Sequence, residues 1–344
     1  MNPDFERMMN EAARLMRGGS LGEATAAIQQ ALGGGAQAPA RPHEDDVIDV
    51  EARVVGAPTP APGGASGSFT AGHYRNECGA RDYKLFEPAR DGRALPLVVM
   101  LHGCTQDPDD FARGTRMNAL ARAQDVVVVY PAQSQRANAQ RCWNWFKHNH
   151  QARGKGEPAI LAGLVRDVIA RHDVDPQRVY VAGLSAGGAM AAILGDAYPD
   201  LFAAVGVHSG LPVGSATDVQ TALAAMSGAA PPARRSAKHG ATPPTIVFHG
   251  DADATVDAVN GERILASAGV VARPDVQQAM TGAGVPYTRR VYVDAQGAER
   301  AEQWTIHGAG HAWSGGDLAG SYTDPRGPDA SAEMLRFFLQ RPRG

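Results

Sequence analysis

Residues 178–198, RVYVAGLSAGGAMAAILGDAY, constrain the fold of this chain more than any other stretch. Val179-Tyr180-Val181 is a β-rich run, Gly183-Leu184-Ser185-Ala186-Gly187 turns sharply, and the Ala, Met, Ile and Leu that follow have helical composition. A strand that passes into a helix through G-x-S-x-G needs both glycines, because its two backbones approach closely. The serine at the apex is then held in a strained conformation that projects its hydroxyl. The N-terminal N–H groups of the helix favour negative charge at the same spot. A Gly-rich βα turn without chemistry carries the same letters, so the motif gains weight only from the rest of the chain.

That context is a regular alternation. Strands are predicted at Arg81–Phe86, Leu97–Leu101, Val126–Tyr130, Arg178–Ala182, Ala203–Val207, Thr245–Phe248, Arg289–Val293 and Gln303–Ile306, with helices near 108–123, 158–172, 187–198, 256–268 and 329–340. The four-residue apolar runs Leu97-Val98-Val99-Met100 and Val126-Val127-Val128-Val129 suit parallel strands buried on both faces. The reading is an α/β fold with a mostly parallel central sheet flanked by helices, its catalytic body spanning residues 69–344.

Upstream, Phe5, Met8, Met9, Ala12, Leu15 and Met16 recur at helical spacing, Gly18-Gly19 interrupts, and Ser20-Leu21-Gly22-Glu23 makes a capping box for a second helix. Residues 1–32 therefore read as a helical hairpin resembling a single tetratricopeptide-like unit. Such units need about three copies to build a core, so this one is expected to dock on the body, on a second copy or on a hydrophobic polymer surface. Residues 33–68, rich in Gly, Ala and Pro with an acidic run, read as a flexible linker.

Sites in parallel sheets gather at the C-terminal ends of the strands. The loops there are His102-Gly103-Cys104-Thr105, His249-Gly250-Asp251-Ala252-Asp253 and His307-Gly308-Ala309-Gly310-His311. A serine nucleophile needs a histidine base and a carboxylate to orient it, and the order Ser, Asp, His along the chain is that of α/β-hydrolases. Asp253 is preferred to Asp251, which holds the turn or stays solvated, because it lies deeper in its loop. His311, following a flexible Gly-Ala-Gly, is preferred to His307, which ends a strand and reads as structural. His102 and His249 precede glycines and read as braces for loop backbone. The oxyanion donors would be the N–H groups of Ala186 and of Cys104, with Thr105 the alternative to Cys104.

Charge and cysteine content narrow the function class. A net charge of −3 gives no electrostatic case for nucleic acid, and 44% hydrophobic with 20% charged residues is ordinary for a globular enzyme. No segment approaches a membrane span, and the N-terminus lacks a run apolar enough for a signal-peptide core, so the sequence reads as cytoplasmic unless a signal was removed or export is unconventional. Cys78, Cys104 and Cys142 lack C-x-x-C metal spacing, and neither a metal nor a cofactor is expected.

The stretches LHGCTQDPDDFARGTRMNALA (101–121), VVYPAQS (128–134), CWNWF (142–146), VYVAGLSAGGAMA (179–191), FHGDADATV (248–256) and GAGHAWSGG (308–316) resemble the short-chain polyhydroxybutyrate depolymerase family, grouped with feruloyl and acetylxylan esterases in the α/β-hydrolase superfamily. The resemblance implies a triad of Ser185, Asp253 and His311, the HGC loop as oxyanion strand, and an ester substrate. It also implies that Cys104 and Cys142 meet beside the site, as a disulfide or as two reduced thiols. Members are often secreted, which sets the family against the cytoplasmic reading. Trp143, Trp145 and Trp313 lie in these motif loops and are candidates for a hydrophobic wall, Trp313 first; Asn144 either contacts substrate or satisfies loop backbone. Residues 212–243, with a helix at Thr217–Met226, read as a small or open cover over the cleft. The expected function is a serine esterase acting on short-chain polyhydroxyalkanoate or its oligomers. The alternatives are a feruloyl or acetylxylan esterase, or a non-catalytic granule-associated binding protein that docks through residues 1–32.

Overall fold

The two-sided burial anticipated for the apolar runs follows from the period-2 geometry of a strand. Leu97, Val99 and Leu101 enter one core with Leu161, Val165 and Val168, whereas Val98 and Met100 enter the other with Met334, Leu335 and Phe338. Every residue of both runs is fully buried. The structure is a computed structural model and describes residues 67–89, 92–229, 242–266 and 274–343. The hairpin expected over residues 1–32 lies outside the described residues, as does the linker expected over 33–68 apart from its last two residues.

In chain order the elements are β1 (Ser68–Asn76), β2 (Gly79–Glu87), β3 (Leu95–Leu101), α1 (Pro108–Thr115), α2 (Met117–Ala123), β4 (Val127–Pro131), a 3-10 turn (His148–His150), α3 (Gly156–Arg171), β5 (Val174–Leu184), α4 (Ala186–Ala197), β6 (Ala204–His208), α5 (Val219–Met226), β7 (Thr245–Gly250), α6 (Val259–Ala266), β8 (Asp275–Met280), β9 (Pro286–Val293), β10 (Glu299–Ile306), the short pair β11 (Trp313–Ser314) and β12 (Thr323–Asp324), and α7 (Ala330–Leu339). Among the described residues, ten strands form one sheet in the order β1-β2-β4-β3-β5-β6-β7-β10-β9-β8. The block from β4 to β10 is parallel, and antiparallel pairs close both edges. This is the mostly parallel, helix-flanked sheet of an α/β-hydrolase.

Two departures from the sequence reading have plain causes. The single helix expected near 108–123 breaks at Arg116, whose φ of 55° ends α1 and starts α2. The edge strand β8 was not anticipated, because all six of its residues are exposed and it carries no apolar alternation to read.

Candidate active site

The nucleophile elbow forms where β5 meets α4. Ser185 has φ 58° and ψ −119°, a conformation a non-glycine residue keeps only when its surroundings over-determine it. They do so here. A Cβ on Gly187 would lie 2.0 Å from the Leu101 carbonyl oxygen, and one on Gly183 would lie 2.4 Å from Gly187 backbone. Ser185 N–H donates to the His208 carbonyl at 2.9 Å, tying the elbow to the end of β6. Ala186 opens α4, so its N–H is among the first-turn donors that have no partner within the helix.

Beyond β7, Asp253 Oδ1 accepts from the N–H groups of Thr255 and Val256 at 2.9 and 2.8 Å. Its Oδ2 accepts from His311 Nδ1–H at 2.7 Å, with His249 Nε2 at 3.5 Å. Burial by itself would raise the Asp253 pKa. The charge of His311 and the hydrogen bonds from both histidines outweigh it and hold the carboxyl well below the usual carboxylate range. With Nδ1–H engaged by an ionised carboxylate, Nε2 is the nitrogen of His311 left to act as a base. The alternative pair, Asp251 and His307, also meets at 2.7 Å, but both side chains are about 40% exposed, at 41% and 39%. Asp251 additionally accepts from Gly308 N–H at 2.7 Å, so it holds the turn and is solvated at once.

The HGC loop after β3 is braced on both sides. Gly103 N–H donates to Gln106 Oε1 at 2.9 Å, and Thr105 N–H donates to the Gln140 carbonyl at 2.7 Å. That second bond commits the Thr105 donor and leaves Cys104 N–H as the candidate at this turn. Cys104 and Cys142 form a disulfide, Cα atoms 4.2 Å apart, that joins the HGC loop to the CWNWF loop.

Two buried histidines hold neighbouring loops as neutral rings. His102 donates Nδ1–H to the Gly103 carbonyl at 2.7 Å and accepts from Gln133 N–H on Nε2 at 3.1 Å; burial lowers its pKa to about 4. His208 accepts from Ser314 N–H on Nε2 at 3.0 Å and stacks on Phe248 and Trp313. Burial, helped by the charges of His249 and His311, lowers it to about 3. A proton on either ring is easier to add in the unfolded chain, where the value is 6.5. Their contribution to stability is therefore complete above that pH and is lost as pH falls toward the folded values, by about 1.4 kcal/mol per pH unit for each ring. Denaturant midpoints measured from pH 7 to pH 4 are expected to fall accordingly. His208→Gln, which cannot titrate, should show about half the slope; a flat wild-type profile would contradict the assignment.

Glu157 in the first turn of α3 is the hub of the CWNWF loop. Its fully buried carboxylate accepts from Arg81 at 2.9 Å, from Asn144 N–H at 2.7 Å, from Asn144 Nδ2 at 2.8 Å and from Gln133 Nε2. Burial pushes its pKa up, but the nearby His150 ring, the hydrogen bond from Gln133, the Arg81 charge and the Asn144 N–H leave it lowered overall. Asn144 is thus occupied by Glu157, resolving the open choice in favour of loop support.

A cleft opens beside Ser185, Ala186 and the disulfide, and its wall is apolar: Trp145, Phe146, Leu211, Val219, Leu223 and Met226. Helix α5, from the predicted cover, contributes the last three of these residues. Trp145 lines the cleft as anticipated, but Trp143 and Trp313 do not. Trp143 is fully buried with Nε1–H on the His102 carbonyl, and Trp313 is packed between His208 and Phe111 with Nε1–H on Ser331 Oγ. Both indoles have found a polar partner inside the core, the usual condition for burying one completely. Sequence reasoning missed Glu157, His208 and Phe146, whereas the helix expected at Thr217–Met226 is present as α5. Among the described residues no group of three or more His, Cys, Asp and Glu is placed to hold a metal, and no helix is long and apolar enough to cross a membrane.

Comparison with known proteins agrees with this architecture. The chain is 34% identical over 230 residues to a poly(3-hydroxyalkanoate) depolymerase C of Paucimonas lemoignei, covering 63% of this chain and 54% of the relative. It is 29% identical to a poly(3-hydroxybutyrate) depolymerase of Ralstonia pickettii, covering 67% and 50%, and 28% identical to feruloyl esterase B of Thermothelomyces thermophilus, covering 58% and 73%. The chain thus spans about half the length of the two depolymerases. Among solved structures, an acetyl xylan esterase from Aspergillus awamori superposes with a TM-score of 0.57 at 20% identity, covering 67% of this chain and 89% of that one, which speaks to the fold alone. The family model of the esterase PHB depolymerases matches residues 82–272, more than half of the chain. An α/β-hydrolase sheet carrying a strained serine elbow beside an apolar cleft, matched over that span, makes this chain a member of the esterase PHB depolymerase family.

Proposed function

We propose that the chain is a serine esterase that hydrolyses short-chain polyhydroxyalkanoate, such as poly(3-hydroxybutyrate), or its oligomers through an acyl-enzyme. Ser185 Oγ attacks the ester carbonyl while His311 Nε2 takes its proton, and Asp253 stabilises the imidazolium. The N–H groups of Ala186 and Cys104 bind the oxyanion. His311 returns the proton to the leaving alcohol, then activates water against the acyl-enzyme.

The observation that carries this reading is the part-buried 2.7 Å Asp253–His311 pair, built on strand ends of the same sheet edge as the Ser185 elbow. Val256, whose N–H binds Asp253, lines the same cleft as Ser185. The cleft wall suits a short aliphatic acyl unit, in keeping with the activities named for the depolymerase relatives.

The test is clearing of an amorphous poly(3-hydroxybutyrate) suspension, with p-nitrophenyl butyrate as the small-ester control. Hydrolysis of both is expected. Hydrolysis of the small ester without clearing would redirect the substrate to plant polysaccharide esters, the reading favoured by the feruloyl esterase relative. A granule or a second copy is the proposed partner of residues 1–32. A non-catalytic granule protein would hydrolyse neither substrate.

A further inference from the structure

A second depression, wide and polar, opens on the other side of the oxyanion loop. Arginines dominate it: Arg75 and Arg81 from the β1–β2 hairpin, and Arg136 and Arg141 from the segment after β4. Its three carboxylates are already engaged. Asp82 pairs with His73 at 2.6 Å and Asp109 with Lys84 at 3.3 Å, while Asp107 caps α1 through Asp110 N–H at 2.9 Å and faces Arg141 at 3.6 Å. Among the described residues the guanidinium groups of Arg75 and Arg136 have no partner. Arg81 is 7% exposed and bound to Glu157, yet its buried Nε–H is unmatched. The balance is an excess of guanidinium donors, the kind of group that recognises a carboxylate.

This groove and the apolar cleft share one wall. Asn138, Cys142 and Cys104 line the cleft, whereas Arg136, Arg141 and His102, one or two residues away in the chain, line the groove. Arg141, at φ 53°, directly precedes the disulfide cysteine. A ligand crossing the Cys104–Cys142 bond from Ser185 passes from apolar to cationic surroundings.

We propose that the groove binds the terminal carboxylate of an oligoester, on the leaving-alcohol side of the bond that is cut; this rests on the esterase reading. Ester bonds between hydroxy acids run head to tail, so the acyl part of the scissile ester ends in a hydroxyl and the alcohol part ends in a free carboxylate. The acyl part, made of aliphatic units, suits the apolar cleft, and the anionic part suits the arginines. As the Ser185 Oγ–acyl bond forms and the ester C–O bond breaks, His311 gives its proton to the departing alkoxide. The product released first is a hydroxy acid whose carboxylate is unchanged.

The experiment compares kcat/KM for a linear 3-hydroxybutyrate trimer as free acid and as its methyl ester, in wild type and in the double variant Arg136→Gln, Arg141→Gln. Wild type is expected to favour the acid by about 5- to 20-fold, with the preference shrinking at high salt and falling toward one in the variant. Equal values for acid and ester in wild type, or a preference that survives in the double variant, would overturn the assignment. Hydrolysis of p-nitrophenyl butyrate by wild type separates the two claims, since its absence would defeat the esterase reading and not the groove alone.

Discussion

Ser185→Ala is expected to lower kcat on any ester by on the order of 10⁴- to 10⁶-fold, with folding unaffected. The effect is large because the remaining groups act as a unit around the missing oxygen. Without Oγ the acyl-enzyme cannot form, and His311 can only assist water. Stability should hold because the elbow is fixed by backbone: Ser185 N–H stays on the His208 carbonyl, and alanine meets the same φ of 58° that serine meets. Labelling by a fluorophosphonate is the direct readout. A variant that labels at the wild-type rate would remove Ser185 from the mechanism, whatever the fate of the ester assay.

The second large effect falls on stability. Glu157→Ala is expected to cost about 3–5 kcal/mol, because it leaves Arg81 as a buried charge without a counterion and strips acceptors from Asn144 and Gln133. The loss should be partly recovered when Arg81 is replaced as well, since the penalty comes from the orphaned partner more than from the pair itself. Glu157 also anchors the segment that carries Cys142 and Trp145, so ester hydrolysis should fall with it. A cost below about 1 kcal/mol in denaturant titration would mean that water replaces the carboxylate and that the network is not a structural hub.

Some residues could be read from the chain and others could not, and the difference is one of range. The two-faced burial of Leu97–Leu101 is written in its neighbours, because a strand covered on both sides must be apolar throughout. The elbow is partly so: Gly183 is required by Gly187 backbone in the same strand–turn–helix unit, whereas Gly187 is required by the Leu101 carbonyl of the neighbouring strand. The choice of Asp253 over Asp251 rested on depth in a loop, and burial separates the two in that direction. Motif membership misled for the indoles. Trp143, Trp145 and Trp313 look alike in sequence, yet only Trp145 reaches the cleft wall, because the other two are claimed by the His102 carbonyl and Ser331 Oγ from distant segments.

By itself, then, the sequence determined the alternation, the burial of the central strands, the strained serine turn and the order in which candidate nucleophile, acid and base arrive. These depend on periodicity and on local sterics, which act over a few residues. Only the tertiary structure decided that Asp253 and His311, 58 residues apart, meet at 2.7 Å. It alone committed the Thr105 N–H to Gln140, seated Glu157 beneath the CWNWF loop, and drew four arginines to one groove. Such contacts are set by which strands lie side by side and by how buried polar groups share their partners, and a buried charge must be matched wherever in the chain its partner happens to lie.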